Sequence, residues 1–308
     1  MVKSLITGID ISHQSIRAVV LKPRKDTFTL VSYHQMPVEV DIFTDNHRLN
    51  YQKIVKKLKE LRKALPLFSR KVCLSVPDNS VISKQIQIDS DLSDEECQYV
   101  IAQIFARQTP VAVEKLYIDF VALAGEQTQV KANYHVYAVR KECVDARIAP
   151  FLQSGFKPIL VNPYSHNLAQ LMRHITRSSG ESNWMLMNFN LDHVAVCVET
   201  EKQGFVYKEL PLNGSEIAVE KLFERLLVTI NLLDLEPEGV WLSGEKALLG
   251  PFAALLSSTL GLTCVALELY DLFDCQQRKA EREFGPQYAI ALGLALSGLG
   301  CMEKGHAA

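Results

Sequence analysis

No two of the seven cysteines stand in a Cys-x-x-Cys pair, and their number is odd. Cys73, Cys97, Cys143, Cys197, Cys264, Cys275 and Cys301 are scattered, which argues against a disulfide framework and fits a reducing compartment. Metal-ligand spacing is lacking too. His135, His166, His174 and His193 fall on separate expected elements, so no zinc site is expected. Charge is nearly balanced: a net charge of −2 and a pI near 6.5 give no bulk attraction to nucleic acid or anionic lipid. Partners are therefore to be sought in shape. The longest near-apolar run, Tyr288 to Leu299, falls short of the ~20 residues a membrane span needs, and its Gly293 and Gly298 suggest close helix packing instead. Met1 to Ile6 runs straight into a strand pattern with no export signal, so a cytoplasmic location is expected.

What is present is apolar mass. The 308 residues are 48% hydrophobic and 22% charged, enough for one two-lobed domain or two ordinary ones. Leu5 to Ile11 and Ser15 to Leu21 are β-rich runs either side of Ser12-His13-Gln14, which predicts an opening hairpin, and Thr27 to Tyr33 reads as a third strand. Ile54, Leu58, Leu61 and Leu65 recur at helical spacing until Pro66. The other face of that helix carries Lys53, Lys56, Lys57, Lys59, Arg62 and Lys63, a solvated face or a site for an acidic partner.

Lys71 to Val76 predicts a strand, and Val81 to Ile88 another with Ile82, Ile86 and Ile88 on one face. Ser93-Asp94-Glu95-Glu96 matches a capping box opening a helix to about Arg107. Two strands at Leu116 to Leu123 and Tyr134 to Val139, a helix over Glu142 to Gln153 and a final strand complete a compact inserted α/β subdomain. After the polar stretch Ser178 to Ser182 the opening order repeats: Met185 to Phe189, Val194 to Glu199 and Phe205 to Leu210 predict three strands. A helix from about Ser215 places Val219, Leu222, Phe223, Leu226, Leu227, Ile230 and Leu233 on one stripe, as core packing requires. Val240 to Gly244 predicts a buried strand, and Leu248 to Leu260 and Tyr288 to Leu299 two more helices.

A three-strand start with a polar turn, occurring twice, resembles the two phosphate-binding hairpins of actin-like ATPases, whose backbone N–H groups cradle phosphate oxygens. Gly8 to Val19 is similar to the opening motif of the type IV pilus assembly PilM family. Further matches follow in the family's order: Ser75-Val76-Pro77, Ile86 to Leu92, Val113 to Phe120, Val136 to Glu142, Ser154 to Pro158, Trp241 to Gly244 and Tyr288 to Ala295. The MSHA-type pilus and DNA-uptake relatives of that family look similar.

The resemblance implies an α/β, actin-like, two-lobed fold of the actin, Hsp70 and sugar-kinase kind with an inserted α/β subdomain and a reduced second lobe. Residues 1–76 would form the first lobe, 77–160 the inserted subdomain, 161–182 the return to the first lobe, 183–284 the shortened second lobe, and 285–308 a C-terminal helix on the first lobe. It also implies a role as a cytoplasmic scaffold at the inner membrane. The partner would be the cytoplasmic tail of a PilN-like membrane protein, lying extended in a groove between the first lobe and the insertion, with other pilus assembly components possible. Ile82, Ile86, Ile88, Tyr117, Asp119 and Phe120 would bind it, although even-spaced isoleucines also suit a core. Neither nucleic acid nor direct membrane insertion is expected.

The nucleotide cleft implied by the resemblance would hold Asp10, Ser12, Ser15, Asn188, Asn190, Ser243 and Gly244. The departures argue against ATP and Mg²⁺. Ser12 stands where the family has a glycine, Asn188-Phe189-Asn190 replaces an Asp-x-Gly pattern, and Glu245 follows Gly244 where a second glycine belongs. Only about one helix separates Gly214 from Val240, leaving no segment to cover a base. A pseudo-ATPase scaffold without catalytic residues or cofactor is expected. The alternatives are an ATPase that uses Asp10, its ATP state regulating pilus assembly, and a filament former.

Overall fold

The computed structural model describes residues 5–25, 27–38, 42, 50–123, 131–200, 204–212, 219–232, 236–273 and 284–304. In chain order its elements are β1 (Ile6–Ile11), β2 (Ser15–Pro23), β3 (Phe28–Pro37), α1 (Tyr51–Ala64), β4 (Lys71–Val76), β5 (Val81–Asp89), α2 (Asp94–Arg107), β6 (Leu116–Ala122), β7 (Lys131–Arg140) and α3 (Lys141–Gln153). They continue with β8 (Lys157–Pro163), α4 (Tyr164–Ser179), β9 (Trp184–Phe189), β10 (His193–Thr200), β11 (Gly204–Pro211), α5 (Val219–Leu232), β12 (Gly239–Gly244), α6 (Lys246–Leu260), β13 (Thr263–Ala266) and α7 (Ala289–Lys304). Gly214, the expected helix start at Ser215, Leu233 and Cys275 lie outside the described residues.

The chain divides into two units, one of Met1–Val40, Glu60–Ser75 and Phe156–Ala308, the other of Asp41–Lys59 and Val76–Gly155. In the first unit two five-stranded sheets have the orders β3-β2-β1-β4-β8 and β11-β10-β9-β12-β13. Each is built the same way: β1 pairs antiparallel with β2 and parallel with β4, and β9 pairs antiparallel with β10 and parallel with β12. Residues from both sheets share one core. Ile6, Val19 and Cys73 from the first, and Leu186, Cys197 and Trp241 from the second, pack with α4 and α7. A second core lies on the other face of the β9–β12 sheet, where Leu222 and Leu226 of α5 and Leu249, Phe252 and Leu256 of α6 cover Met187, Phe189 and Leu242.

α7 meets its neighbours at backbone distance. A Cβ on Gly293 would lie 2.2 Å from the Asn167 carbonyl oxygen of α4, and one on Gly298 would lie 2.3 Å from Cys73 Sγ. Those glycines let a short apolar helix sit inside the protein, where burying each of its leucines contributes about 1.5–3 kcal/mol.

α4 and β13 go beyond the sequence reading, and β8 was expected only as a closing strand without bounds. Leu168, Leu171, Met172 and Ile175 do have the i, i+3, i+4, i+7 spacing of a helix face and are buried in α4. Pro163 ends β8 and α4 begins at the next residue, so no loop punctuates the junction. The expected limit of the insertion at residue 160 shifts to Gly155. The chain rejoins the first sheet at once, with Lys157 N–H donating to Arg70 O at 2.7 Å, so the strand expected to close the insertion belongs to that sheet instead.

The second unit contains an antiparallel sheet of order β5-β7-β6. α2 covers one face, burying Ile86, Ile88, Cys97, Ile101, Phe105 and Val136 together. Its start is the predicted capping box: Ser93 Oγ accepts from Glu96 N at 3.4 Å, and the Glu96 carboxylate accepts from Ser93 N at 2.9 Å.

Candidate functional site

Asp10 is the penultimate residue of β1 and Arg17 the third of β2, and the two are paired across the strands. Between them the turn closes on itself. Ser12 N–H donates to Ser15 O at 2.9 Å, while Ser12 Oγ accepts from Ser15 N at 3.2 Å and Gln14 N at 3.4 Å. Two amides that a phosphate cradle would offer, those of Gln14 and Ser15, are thus bonded to a side chain of the same turn.

The corresponding turn after β9 is closed as well. Asn190 N–H donates to His193 O at 2.9 Å, and Asn190 Nδ2 meets His193 Nε2 at 2.9 Å. That leaves His193 Nδ1 to donate to Asp192 Oδ1, also at 2.9 Å. This hydrogen bond holds the Asp192 carboxyl below the ordinary carboxylate range, with His13 of the first turn adding to the effect. Asn188 is buried, and its Oδ1 accepts from Ser243 Oγ at 2.9 Å.

β12 ends at Gly244 with a φ of 98°, and a Cβ there would lie 2.1 Å from Phe189 O. Only glycine fits that close approach. The chain then delivers Glu245, whose N–H donates to Phe189 O at 2.9 Å and whose Oε1 accepts from Arg17 Nη2 at 2.6 Å. Arg17 is 5% exposed and Glu245 21%, so this ion pair ties the two sheets together in a largely dry setting. Arg17 Nε is buried without a partner.

Arg17 escaped the sequence reading, although a signal existed: a guanidinium in the run Ser15-Ile16-Arg17-Ala18-Val19-Val20-Leu21, buried throughout, demands a carboxylate. The residues chosen for a nucleotide cleft do converge, since Asn188 and Ser243 are register partners and Asp10 neighbours Arg17. These groups differ from the free turn amides and second carboxylate that a nucleotide with Mg²⁺ would use. The Ser12, Gln14 and Ser15 amides are bonded within the first turn, Asn188 presents a neutral amide, and the Glu245 carboxylate stands against Arg17. Among the described residues no group of three or more His, Cys, Asp or Glu side chains could hold a metal ion.

The residues chosen for partner binding separate into two sets. Ile86 and Ile88 are each 3% exposed beneath α2, so these two are core, while Ile82 is half-buried and packs against the edge of the same cluster. The reason is the β5–β7 pairing, which turns their side of the sheet toward Ile101 and Phe105. Phe120 is also drawn inward, edge-on to Tyr134 with centroids 5.6 Å apart. Tyr117 and Asp119 are exposed on β6, an edge of the sheet. Tyr117 Oη donates to Asp145 Oδ1 at 3.1 Å, which raises the phenol's pKa, and Lys141 Nζ lies 5.4 Å from the ring centre. Val121, two strand positions on from Asp119, is exposed as well. A separate groove of about 720 Å³ is lined by Phe28, His174, Arg177 and Leu272 among others, none of them chosen from sequence.

No curated protein matches the chain. Among solved structures it is similar over 97% of its length to 99% of a chain from a PilM-PilN type IV pilus biogenesis complex, at 19% identity and a TM-score of 0.76. The ethanolamine utilization protein EutJ of Carboxydothermus hydrogenoformans matches at 10% identity and a TM-score of 0.52, with 95% of this chain and 89% of that one covered. A Bacteroides thetaiotaomicron protein with an actin-like ATPase fold and unknown function matches at 12% identity and a TM-score of 0.50, with 89% and 97% covered. The fold is actin-like. The family model for type IV pilus assembly protein PilM matches residues 8–220, well over half of the sequence, and the chain belongs to that family.

Proposed function

We propose that the chain is a non-catalytic scaffold in the inner-membrane assembly complex of a type IV pilus, of the MSHA or DNA-uptake kind. It binds the cytoplasmic tail of a PilN-like membrane protein. The observation that carries this reading is the family match together with likeness to a PilM-PilN complex over nearly the whole chain. The tail holds the protein at the cytoplasmic face of the membrane. No helix among the described residues is long and apolar enough to cross.

An extended tail adding to the free edge of β6 would gain backbone hydrogen bonds there, with Tyr117, Asp119 and Val121 supplying side-chain contacts. A few filled pockets give micromolar affinity, about −8 kcal/mol. ATP plays no part in this reading, which is supported by the closed turns and the Arg17–Glu245 pair.

Calorimetry with a synthetic PilN-like tail tests it, and a second titration with ATP and Mg²⁺ tests the missing nucleotide. The expected result is micromolar tail binding, weakened about tenfold by Val121→Asp, with no heat from ATP. Absence of tail binding would end the scaffold reading. ATP turnover lost in Asp10→Ala would instead make the protein an ATPase.

A further inference from the structure

The sharpest surface feature of the first unit lies between α1 and β4. Leu67 and Phe68 are adjacent and stand 77% and 76% exposed. Their exposure is imposed by the turn that carries them. Ser69 is buried, its Oγ donates to Pro66 O at 2.5 Å, its N–H donates to the same oxygen at 3.1 Å, and its carbonyl accepts from Thr7 Oγ1 at 3.3 Å. Arg62 Nη2 donates to Leu67 O at 3.1 Å, and Arg70 O is fixed by Lys157 N–H. These bonds fix the turn's backbone and leave the two apolar side chains facing outward.

The sequence around the tip, from Arg62 onward, has one sign of charge. From Arg62 to Val76 the sequence contains no Asp or Glu, while Arg62, Lys63, Arg70 and Lys71 lie close to the tip in sequence and Lys157 is bonded to Arg70. Among the described residues no carboxylate pairs with Arg62, Lys63, Arg70 or Lys157. Arg62 and Arg70 are near enough for repulsion to help lower the Arg62 pKa, after burial.

We propose that the Leu67-Phe68 tip and the cations around it form a contact for an anionic lipid surface. The two apolar side chains enter the headgroup region, and Lys63, Arg70 and Lys157 meet lipid phosphates. A tip of two exposed residues offers no groove for a protein segment, whereas exposed apolar groups with cations beside them in the chain match the interface of an anionic bilayer. The net charge of −2 does not oppose this, because the attraction acts within about 10 Å of the surface and the local charge is positive. Such a contact is peripheral and weak, and it would orient a protein that a tail also holds.

The test is co-flotation of the full chain, without any tail, on phosphatidylcholine vesicles with and without phosphatidylglycerol. Binding is expected only with phosphatidylglycerol and should be released by high salt. Leu67→Ser with Phe68→Ser should lower partitioning about tenfold, and Arg70→Glu about fivefold per unit of charge changed. All three residues are exposed, so circular dichroism should show native folding in both variants. Absence of binding to anionic vesicles, or binding equal in the wild type and the serine double variant, overturns the proposal. Equal binding to neutral vesicles overturns it as well. Because no tail is present, none of these outcomes bears on the scaffold reading.

Discussion

A single side chain decides each of the departures that matter in the cleft. Ser12 uses its hydroxyl to satisfy two turn amides, Asn188 is bonded to Ser243, and Glu245 neutralises Arg17. Removing one member of the buried pair strands the other charge. Arg17→Met should therefore cost about 3–5 kcal/mol in urea unfolding, while Arg17→Met with Glu245→Leu should recover most of that loss. Equal destabilisation in the single and double variants would show that the pair is not a unit. Cys73 makes a second prediction at this scale. Burial, with Cys301 adding, pushes its thiol up to about 12, so the thiolate is scarce at pH 8. A thiol reagent should modify the exposed Cys301 in the native protein and reach Cys73 only on unfolding.

At the scale of elements, α7 sets the tightest constraint. Gly293 touches the backbone of α4, so Gly293→Val has no flexible neighbour to displace. It should destabilise the protein by about 3 kcal/mol or more, or prevent soluble expression, whereas Gly300→Ala near the same helix end meets open space and should be neutral or slightly stabilising. Thermal unfolding of the two variants checks this. Most elements were legible because their periods are clean: the strands around Ser12, the Ser93 capping box and the α5 stripe follow directly from spacing. α4 was not, because it abuts β8 at Pro163 and the usual punctuation is absent. The isoleucine face of β5 was legible as one buried side, but its covering layer was not, since α2 and a partner would both produce the same alternation.

The molecule as a whole should lose stability in mild acid. Burial, with Arg177 adding, holds His174 below the ordinary value of 6.5, and burial does the same to His135. Both imidazoles take up a proton more readily once unfolded. Their contribution is therefore complete above pH 6.5 and is lost as pH falls from there through the depressed folded values. The unfolding temperature should drop across that window, and His174→Gln should flatten the slope. A pH-independent unfolding temperature between pH 7 and pH 5 would show that neither group is effectively buried. A further loss is expected in stronger acid, where Asp192 gives up its bond to His193.

The sequence by itself determined the repeated strand order, the apolar helix with its glycines, the loss of phosphate-binding residue types and the family, because each is written in local spacing or in residue identity. Tertiary structure alone decided what stands between the two hairpins. Arg17 and Glu245 are 228 positions apart, and no local pattern joins them. Their pairing follows only once β2 and β12 belong to two sheets that share a core, so that a guanidinium buried on one strand finds its carboxylate just past the end of another. Long-range ion pairs depend on where the packed elements place two side chains, and one-dimensional spacing carries no record of that placement.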